Sequence, residues 1–187
     1  MVVAKAPASG DLASTLARDW ALQVNKGTAD APEWKFVRGL SQFAPSYKPK
    51  MQDDTDIDSE GYSSQIATAI EATFDGEGKR KGKIDAGGFK QDPGQAALRD
   101  VGRKMGLRNV IQARCWRTDG VDEGYEAYFS VEWNEKAGKN DDLDEFSFTM
   151  MSRGKPQRIK PVEGDGTAES VPVEEETGFT NVTPTTP

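Results

Sequence analysis

Alternation of apolar and polar residues is the feature of this sequence that most limits how the chain can fold. The clearest segment runs from Tyr125 to Trp133, where every second residue is apolar and the residues between are Glu, Tyr, Ser and Glu. Successive side chains of a strand point to opposite sides of a sheet, so this pattern predicts a strand with one buried face. The same pattern predicts strands at 19–25, 34–43, 63–75, 110–118 and 145–153, with a hairpin across 134–144. The fold is therefore expected to be mainly β.

One helix is predicted, over residues 92–106. Asp92 followed by Pro93 is typical of a helix N-terminus, because Asp caps the first free N–H groups and Pro fits the first helical position. Leu98, Val101 and Met105 then form a narrow apolar stripe for packing on the sheet. Gly106 is expected to end the helix in a left-handed turn.

The chain is expected to form one domain, over residues 11–160, because its 187 residues suit a single core. Residues 1–10 are interpreted as a flexible N-terminal arm and 161–187 as a flexible acidic tail, rich in Pro, Gly, Thr and Glu. Residues 44–61, with Pro45, Pro49 and an acidic run, are interpreted as a long irregular loop. All 24 Lys and Arg precede residue 161 together with 25 of the 31 acids, so the body carries about −1 and the tail −6.

The composition disfavours several kinds of site. The sequence has no histidine and one cysteine, so an internal disulfide, a multi-cysteine metal site and a histidine-based triad are excluded. Cys115 is expected to be a core residue on a strand. No apolar run reaches the ~20 residues of a membrane helix, and the N-terminus lacks the signal-peptide pattern. We expect no membrane insertion and a cytoplasm-like compartment during synthesis.

An acidic run, 53–61, is the nearest approach to a metal site. Asp54, Asp56 and Asp58 have the spacing of a calcium loop, but Ser59 and Gln65 stand where that loop requires glycine and glutamate. A frame that starts at Asp56 places Gly61 correctly but has Ala67 in place of the glutamate. A hydrophilic loop or an acidic contact is favoured, so no metal and no cofactor are predicted.

A basic stretch, 76–83, superficially resembles a phosphate-binding loop but lacks its spacing. It is interpreted as a solvated hairpin tip or loop, with nucleic-acid contact through Lys79–Lys83 and aromatic residues such as Tyr128 as the alternative. A nucleic-acid-binding β-barrel module therefore remains the second functional hypothesis, although the nearly neutral body offers no basic groove.

A carboxylate enzyme is the third hypothesis, with Glu126 and Glu132 as its acids. Six residues along one strand separate them by roughly 20 Å, which is too far for a shared acid–base pair. We therefore predict that the protein is not an enzyme and has no catalytic residues.

A family resemblance rests on the segment 34–43 followed by 52–62, with support from Asp19–Val24. These residues resemble major tail tube proteins of long-tailed, siphovirus-type bacteriophages, most of all those that infect actinobacteria. The resemblance implies a β-sandwich or half-barrel with one helix, whose inner sheet joins across subunits into a barrel. It also implies homohexameric rings that stack into a hollow virion tube, assembled in the host cytoplasm, for genome ejection and host cell entry.

The resemblance further implies partners and surfaces. The partners are identical subunits, the tape measure protein and genomic DNA transiently in the lumen, tail assembly chaperones and the tail terminator. The polar strand faces are the candidate lumen lining, or else face bulk solvent: Lys35, Gln65, Glu71, Thr73, Glu126, Ser130, Glu132, Glu145, Ser147 and Thr149. The predicted loop supplies the candidate inter-ring residues: Tyr47, Lys50, Gln52, Asp53, Asp54, Asp56, Asp58 and Glu60.

Overall fold

The computed structural model describes residues 14–58 and 60–173, so the predicted N-terminal arm, 1–10, lies outside the described residues. It contains ten strands and one α-helix in this part of the chain. The strands are β1 (Trp20–Asn25), β2 (Trp34–Phe36), β3 (Leu40–Asp53), β4 (Gln65–Lys79), β5 (Gly82–Asp85), β6 (Gly88–Gln91), β7 (Val110–Arg117), β8 (Gly124–Lys136), β9 (Glu145–Ser152) and β10 (Gln157–Arg158). The helix, α1, spans Pro93–Gly102. The prediction of a mainly β fold with one helix is confirmed.

A single antiparallel sheet organises the fold, in the order β2-β1-β7-β8-β9-β4-β3, with β10 added to β8. The sheet curls until its two ends meet: the rings of Trp20 in β1 and Phe43 in β3 lie 6.1 Å apart. No ladder joins these ends among the described residues, so the sheet is a curved half-barrel with two edges. The predicted hairpin of β8 and β9 is confirmed by pairing from Phe129↔Ser152 to Lys136↔Glu145.

The core lies on the concave side of this sheet, where the apolar members of the alternating segments are buried. Phe74, Phe129 and Met150 are fully buried on three neighbouring strands, and the rings of Phe74 and Phe129 lie 4.4 Å apart. Cys115 is also fully buried, as predicted. Helix α1 closes the core by placing Leu98 within it.

The helix begins where predicted and ends earlier. The Asp92 side chain accepts hydrogen bonds from the backbone N–H groups of Gly94 and Gln95, which caps the N-terminus. The prediction that the helix continues to residue 106 is wrong: it ends at Gly102, and Met105 is 88% exposed. Gly106, with a positive φ of 63°, begins a 3-10 turn that leads into β7.

Gly102 is needed for the close approach of α1 to β8. A Cβ atom at this position would lie 2.6 Å from the Cβ of Trp133. We expect Gly102→Ala to lower the free energy of unfolding by about 1–3 kcal/mol, because this overpacking outweighs the helix propensity gained. Chemical denaturation measures the change, with Asp100→Ala on the exposed side of the same helix as the control. Equal or greater stability of Gly102→Ala would show that the helix can move away at no cost.

The predicted loop at 44–61 is wrong for its first ten residues, which belong to the long strand β3. Pro45 and Pro49 pair with Phe74 and Ile70 of β4. β3 is an edge strand, and proline is tolerated there when its missing N–H would face the free side. The predicted strand at 34–43, in turn, is interrupted between β2 and β3, where Gly39 has a φ of 79°.

The interpretation of 161–187 as a flexible tail is wrong for residues 161–173, which pack on the convex side of the sheet. Arg114 of β7 is fully buried beneath this segment and donates to the carbonyl oxygens of Gly166 and Ala168 and to the Ser170 hydroxyl, at 2.8–2.9 Å. Its guanidinium also lies 4.0 Å from the centre of the Trp34 ring. Residues 174–187 lie outside the described part of the chain.

The basic stretch 76–83 is not a single solvated loop. Its first four residues belong to β4, where Lys79 pairs with Glu145 of β9. Its last two residues start the small hairpin of β5 and β6, which stands apart from the main sheet. The prediction of a hairpin tip or loop is therefore wrong for 76–79.

Candidate functional site

The convex face of the sheet gathers most of the candidate lumen residues. Strand register places them side by side, for example Glu132 opposite Thr149 and Glu126 opposite Arg114. Eight candidates share this face: Glu71, Thr73, Glu126, Ser130, Glu132, Glu145, Ser147 and Thr149. Alternation along the strands thus identified one polar surface across β4, β8 and β9, which we name the polar face.

Two candidates do not belong to the polar face. Lys35 pairs with Val24, whose side chain is fully buried in the core. Directly paired residues point to the same side of a sheet, so Lys35 lies on the core side, opposite the polar face. Gln65 pairs with Asp53 beyond a register shift at Lys50/Met51, far along the hairpin. A one-residue shift reverses the faces of a strand, so alternation read through it misassigns Gln65.

The polar face is held together by hydrogen bonds between neighbouring strands. Asp75 accepts from the hydroxyls of Thr73 and Thr149 at 2.8 and 2.7 Å, which buries Thr73 to 3% exposure. Lys136 of β8 reaches across β9 to Glu77 at 2.6 Å. These contacts fix the side chains, so the face presents an ordered surface.

The exposed part of the polar face carries more acids than bases. Five acids lie there by register, Glu71, Asp75, Glu77, Glu132 and Glu145, against four bases on the same side of the sheet, Lys48, Lys50, Lys79 and Lys136. Glu126 is half-buried and accepts a 2.6 Å hydrogen bond from Gln112. The surface is therefore hydrophilic with an acidic excess.

A long hairpin projects beyond the sheet. β9 pairs with β4 only from Thr73 onward, so residues 47–53 and 65–72 pair with each other alone. With the tip 54–64, these residues form what we name the distal hairpin. At ~3.3 Å per residue, its paired part is about 26 Å long. A hairpin with no third strand is marginally stable in water, so this element needs a further surface.

The distal hairpin carries exposed apolar side chains. Tyr47, Met51 and Ile70 are 43%, 50% and 68% exposed, and Ile66 is 54% exposed, although alternation predicts Ile66 and Ile70 to point inward. Tyr47, Pro49, Met51 and Ile70 continue the core side of the sheet by register, forming an apolar strip. Ile70 lies on the predicted side but is exposed, because the strand extends past the sheet that would cover it, and the prediction for Ile66 is wrong, because the register shift reverses its face.

The candidate inter-ring residues fall on two parts of the distal hairpin. Tyr47, Lys50, Gln52 and Asp53 belong to β3, and Asp54, Asp56, Asp58 and Glu60 to the tip. Asp53 accepts from the Thr55 side chain and backbone, and these hydrogen bonds lower the pKa of its carboxyl. Within residues 14–58 and 60–173, no group of three or more His, Cys, Asp and Glu side chains converges as a metal site would require.

A cleft of about 1120 Å³ separates the base of the distal hairpin from β10. Tyr125 of β8 forms part of its wall, with its ring 5.5 Å from that of Tyr47. The Tyr125 hydroxyl donates to Glu123 at 3.0 Å. Burial, followed by this carboxylate, raises the pKa of Tyr125 to about 12. Local sequence patterns do not reveal the cleft, because segments far apart in the chain form it.

The raised pKa of Tyr125 predicts a late step in an alkaline titration. The folded protein holds this proton more tightly than the unfolded chain, whose tyrosines titrate near ~10. The resulting stabilisation is present below that pH and is lost as the pH rises from about 10 to about 12. Tyrosinate absorbance measures the step, and Tyr125→Phe should remove a component with a midpoint of about 12. An unchanged titration curve in that variant would contradict the assignment.

Comparisons with known proteins identify the fold. No protein-family model and no curated protein matches the sequence. The structure resembles a chain from the tail of an empty GTA particle, solved by helical refinement with C6 symmetry, with a TM-score of 0.58 and 16% identity over 78% of this chain and 98% of that one. A chain from the virion of a native gene transfer agent gives a TM-score of 0.57 and 15% identity over 78% of this chain and 98% of that one. A chain from the six-fold symmetrised baseplate of the anti-feeding prophage gives a TM-score of 0.53 and 7% identity over 79% of this chain and 97% of that one.

These similarities cover nearly the whole of each matched chain. At such low identity they establish a shared fold for the two gene transfer agent chains and the prophage chain. In the part of this chain that the structure describes, no helix is long and apolar enough to cross a membrane.

Proposed function

We propose that this chain is the structural subunit of a phage-type tail tube, in which six copies form a ring and rings stack into a hollow helical conduit. The observation that carries the proposal is a fold shared with chains of six-fold symmetric tail particles, combined here with a sheet left open at both edges. The role is structural, with no catalytic step.

The open edges support side-by-side assembly. β2 and β3 are the terminal strands of the sheet, and β3 is fourteen residues long. A long unpaired edge exposes backbone donors and acceptors, and pairing with another chain satisfies them. A closed ring of identical half-barrels would join such edges into one continuous barrel without leaving a free edge.

The polar face is the surface we assign to the lumen. It is ordered, hydrophilic and acidic in excess, and such a surface would repel DNA weakly and keep the genome from adhering. Of the ten candidates, seven of the eight that share the face are proposed to line the conduit; Thr73 is buried and supports the face through Asp75, and Lys35 and Gln65 do not belong to it.

The distal hairpin is the element we assign to contact between stacked rings. It is too long to be covered by its own subunit, and its apolar strip loses contact with water only if a neighbour packs on it. The acidic tip, with Asp54, Asp56 and Asp58, would then meet the next ring. The further partners proposed are the tape measure protein and genomic DNA in the lumen, assembly chaperones and the tail terminator. The virion tail is the proposed location, after assembly in the host cytoplasm.

Electron microscopy of the purified full chain tests this function. We expect six-fold rings or hollow tubes, favoured by high protein concentration. Particles that stay monomeric at every concentration and bind oligonucleotides would instead support a nucleic-acid-binding module. Monomers that bind none would contradict both functions.

A further inference from the structure

The hairpin of β5 and β6 stands away from the body of its own subunit. Among the described residues it pairs with no strand of the main sheet, and residues 81–90 are all exposed. Its two apolar side chains, Ile84 and Phe89, are directly paired and are 85% and 55% exposed. A two-stranded hairpin is marginally stable in water, so this element, like the distal hairpin, needs a surface beyond its own two strands.

The charge of this hairpin is positive. Residues 81–91, which we name the basic hairpin, carry three lysines and one aspartate, so their net charge is +2. Lys90 and Asp85 form an ion pair at 2.5 Å, whereas Lys81 and Lys83 form none with any residue that the structure describes. Two exposed ammonium groups are therefore available for acids of another chain.

The tip of the distal hairpin, residues 54–64, has the opposite charge. It contains no base and four acids, which give it a net charge of −4: Asp54, Asp56, Asp58 and Glu60. It also exposes two large apolar side chains, Ile57 at 99% and Tyr62 at 78%. The tip and the basic hairpin thus combine exposed apolar groups with charges of opposite sign, and such complementarity favours and orients a contact between chains.

β4 connects the two elements and holds them at opposite ends of the subunit. It begins at Gln65, directly after the tip, and ends at Lys79, just before the basic hairpin. At ~3.3 Å per residue, its fifteen residues separate these points by about 46 Å. Rings that stack in one direction place one end of a subunit against the other end of the next, so they need two different surfaces that fit each other. The tip and the basic hairpin have the positions and the charges for such a contact.

We propose that the acidic tip of each distal hairpin docks on the basic hairpin of a subunit in the next ring. Lys81 and Lys83 pair with carboxylates of the tip, and Ile57 and Tyr62 pack against the same hairpin. This inference rests on the proposed function, because it names the surface that the distal hairpin meets when rings stack.

Charge exchange in the full-length protein tests the contact. Lys81→Glu with Lys83→Glu should raise the protein concentration needed for tubes at least roughly tenfold, and so should Asp54→Lys with Asp58→Lys, because each places like charges together. All four substitutions in one chain should return that concentration to within about threefold of the unaltered value, because the two pairs are coupled. Lys104→Glu with Lys160→Glu, at exposed lysines outside both elements, makes the same change in net charge and should have no effect. An equal effect of this control, or no recovery in the fourfold variant, would overturn the contact.

Disulfide trapping tests the same contact without requiring tubes. A chain carrying Asp58→Cys and Lys83→Cys should give a ladder of linked chains on a non-reducing gel, since the two thiols lie at opposite ends of one subunit. Cys115 is fully buried and does not compete. Tubes without a ladder would overturn the contact and leave the proposed function standing. A ladder from a chain that forms neither rings nor tubes would support the contact and contradict the proposed function, and the absence of all three would contradict both.

Discussion

A variant without the distal hairpin is expected to fold normally and to form no tubes. In this variant an Asn-Gly turn replaces residues 48–71 and joins Tyr47 to Ala72, which are paired opposite each other. A two-residue Asn-Gly loop suits such a junction because its twist matches that of the strands. The removed residues lie outside the buried core, so the free energy of unfolding should change by less than about 1 kcal/mol.

Tube assembly, unlike folding, should be lost in this variant. The variant keeps the polar face except Glu71, all of β2 and the part of β3 that precedes residue 48, so single rings remain accessible to it, while stacking loses the apolar strip and the tip. Electron microscopy and sedimentation, under conditions in which the unaltered chain forms tubes, measure the loss. Tubes of ordinary length from the shortened chain would contradict the role assigned to the distal hairpin.

A pair of point variants refines this test within one strand. Ile70 belongs to the apolar strip and Ala69 points to the other side of the hairpin, and both are exposed. Ile70→Ser should raise the protein concentration needed for tubes at least about tenfold, because burying an isoleucine contributes about 1.5–3 kcal/mol. Ala69→Ser should leave that concentration unchanged. Equal effects of the two substitutions would show that the strip is not the contact.

Strands that contribute to one core face were predictable from the sequence. In β8 and β9 the buried residues, such as Phe129 and Phe148, alternate with polar ones, because each strand has the core on one side and a polar surface on the other. That alternation also identified eight members of the polar face correctly. The physical cause is local, so a single segment reveals it.

The distal hairpin was misread although its pattern was present. Pro45, Tyr47, Pro49 and Met51 alternate with polar residues, as strand residues do, but the two prolines suggested a loop. Proline excludes a central strand and not an edge strand, and position in the sheet is not visible in a sequence. The register shift that misplaces Gln65 is hidden for the same reason, since it depends on how two strands pair.

Local sequence patterns do not reveal that Arg114 is buried. Alternation places this residue on the polar side of β7, and nothing near it in sequence indicates burial. The segment that covers it lies more than fifty residues later, at Gly166 and Ser170, and looked like a loose tail because it is rich in polar residues. Its backbone carbonyls accept hydrogen bonds from Arg114 and Gln23 on the sheet, which is a long-range effect.

Replacing Arg114 should cause the largest loss of stability of any substitution considered. Its guanidinium donates to Gln23, Gly166, Ala168 and Ser170, and burial lowers the pKa of the group while the Glu126 carboxylate opposes that shift. Arg114→Ala removes the donor to Gln23, Ala168 and Ser170, leaves the Gly166 carbonyl only its hydrogen bond from Gln23, and opens a cavity against Trp34. We expect the free energy of unfolding to fall by about 3–5 kcal/mol.

The loss of stability in Arg114→Ala should appear first in residues 161–173. Without the guanidinium, residues 161–173 lose three hydrogen bonds to β7, so limited proteolysis should cut there before the rest of the domain unfolds. Arg114→Lys should restore little, because an ammonium cannot reproduce the planar fork that reaches several acceptors and stacks on an indole. Arg153→Ala, at an exposed arginine directly after β9, is the control and should change stability by less than about 0.5 kcal/mol. If Arg114→Ala and Arg153→Ala unfold at the same denaturant concentration, the buried guanidinium does not hold the C-terminal segment in place, and another contact must do so.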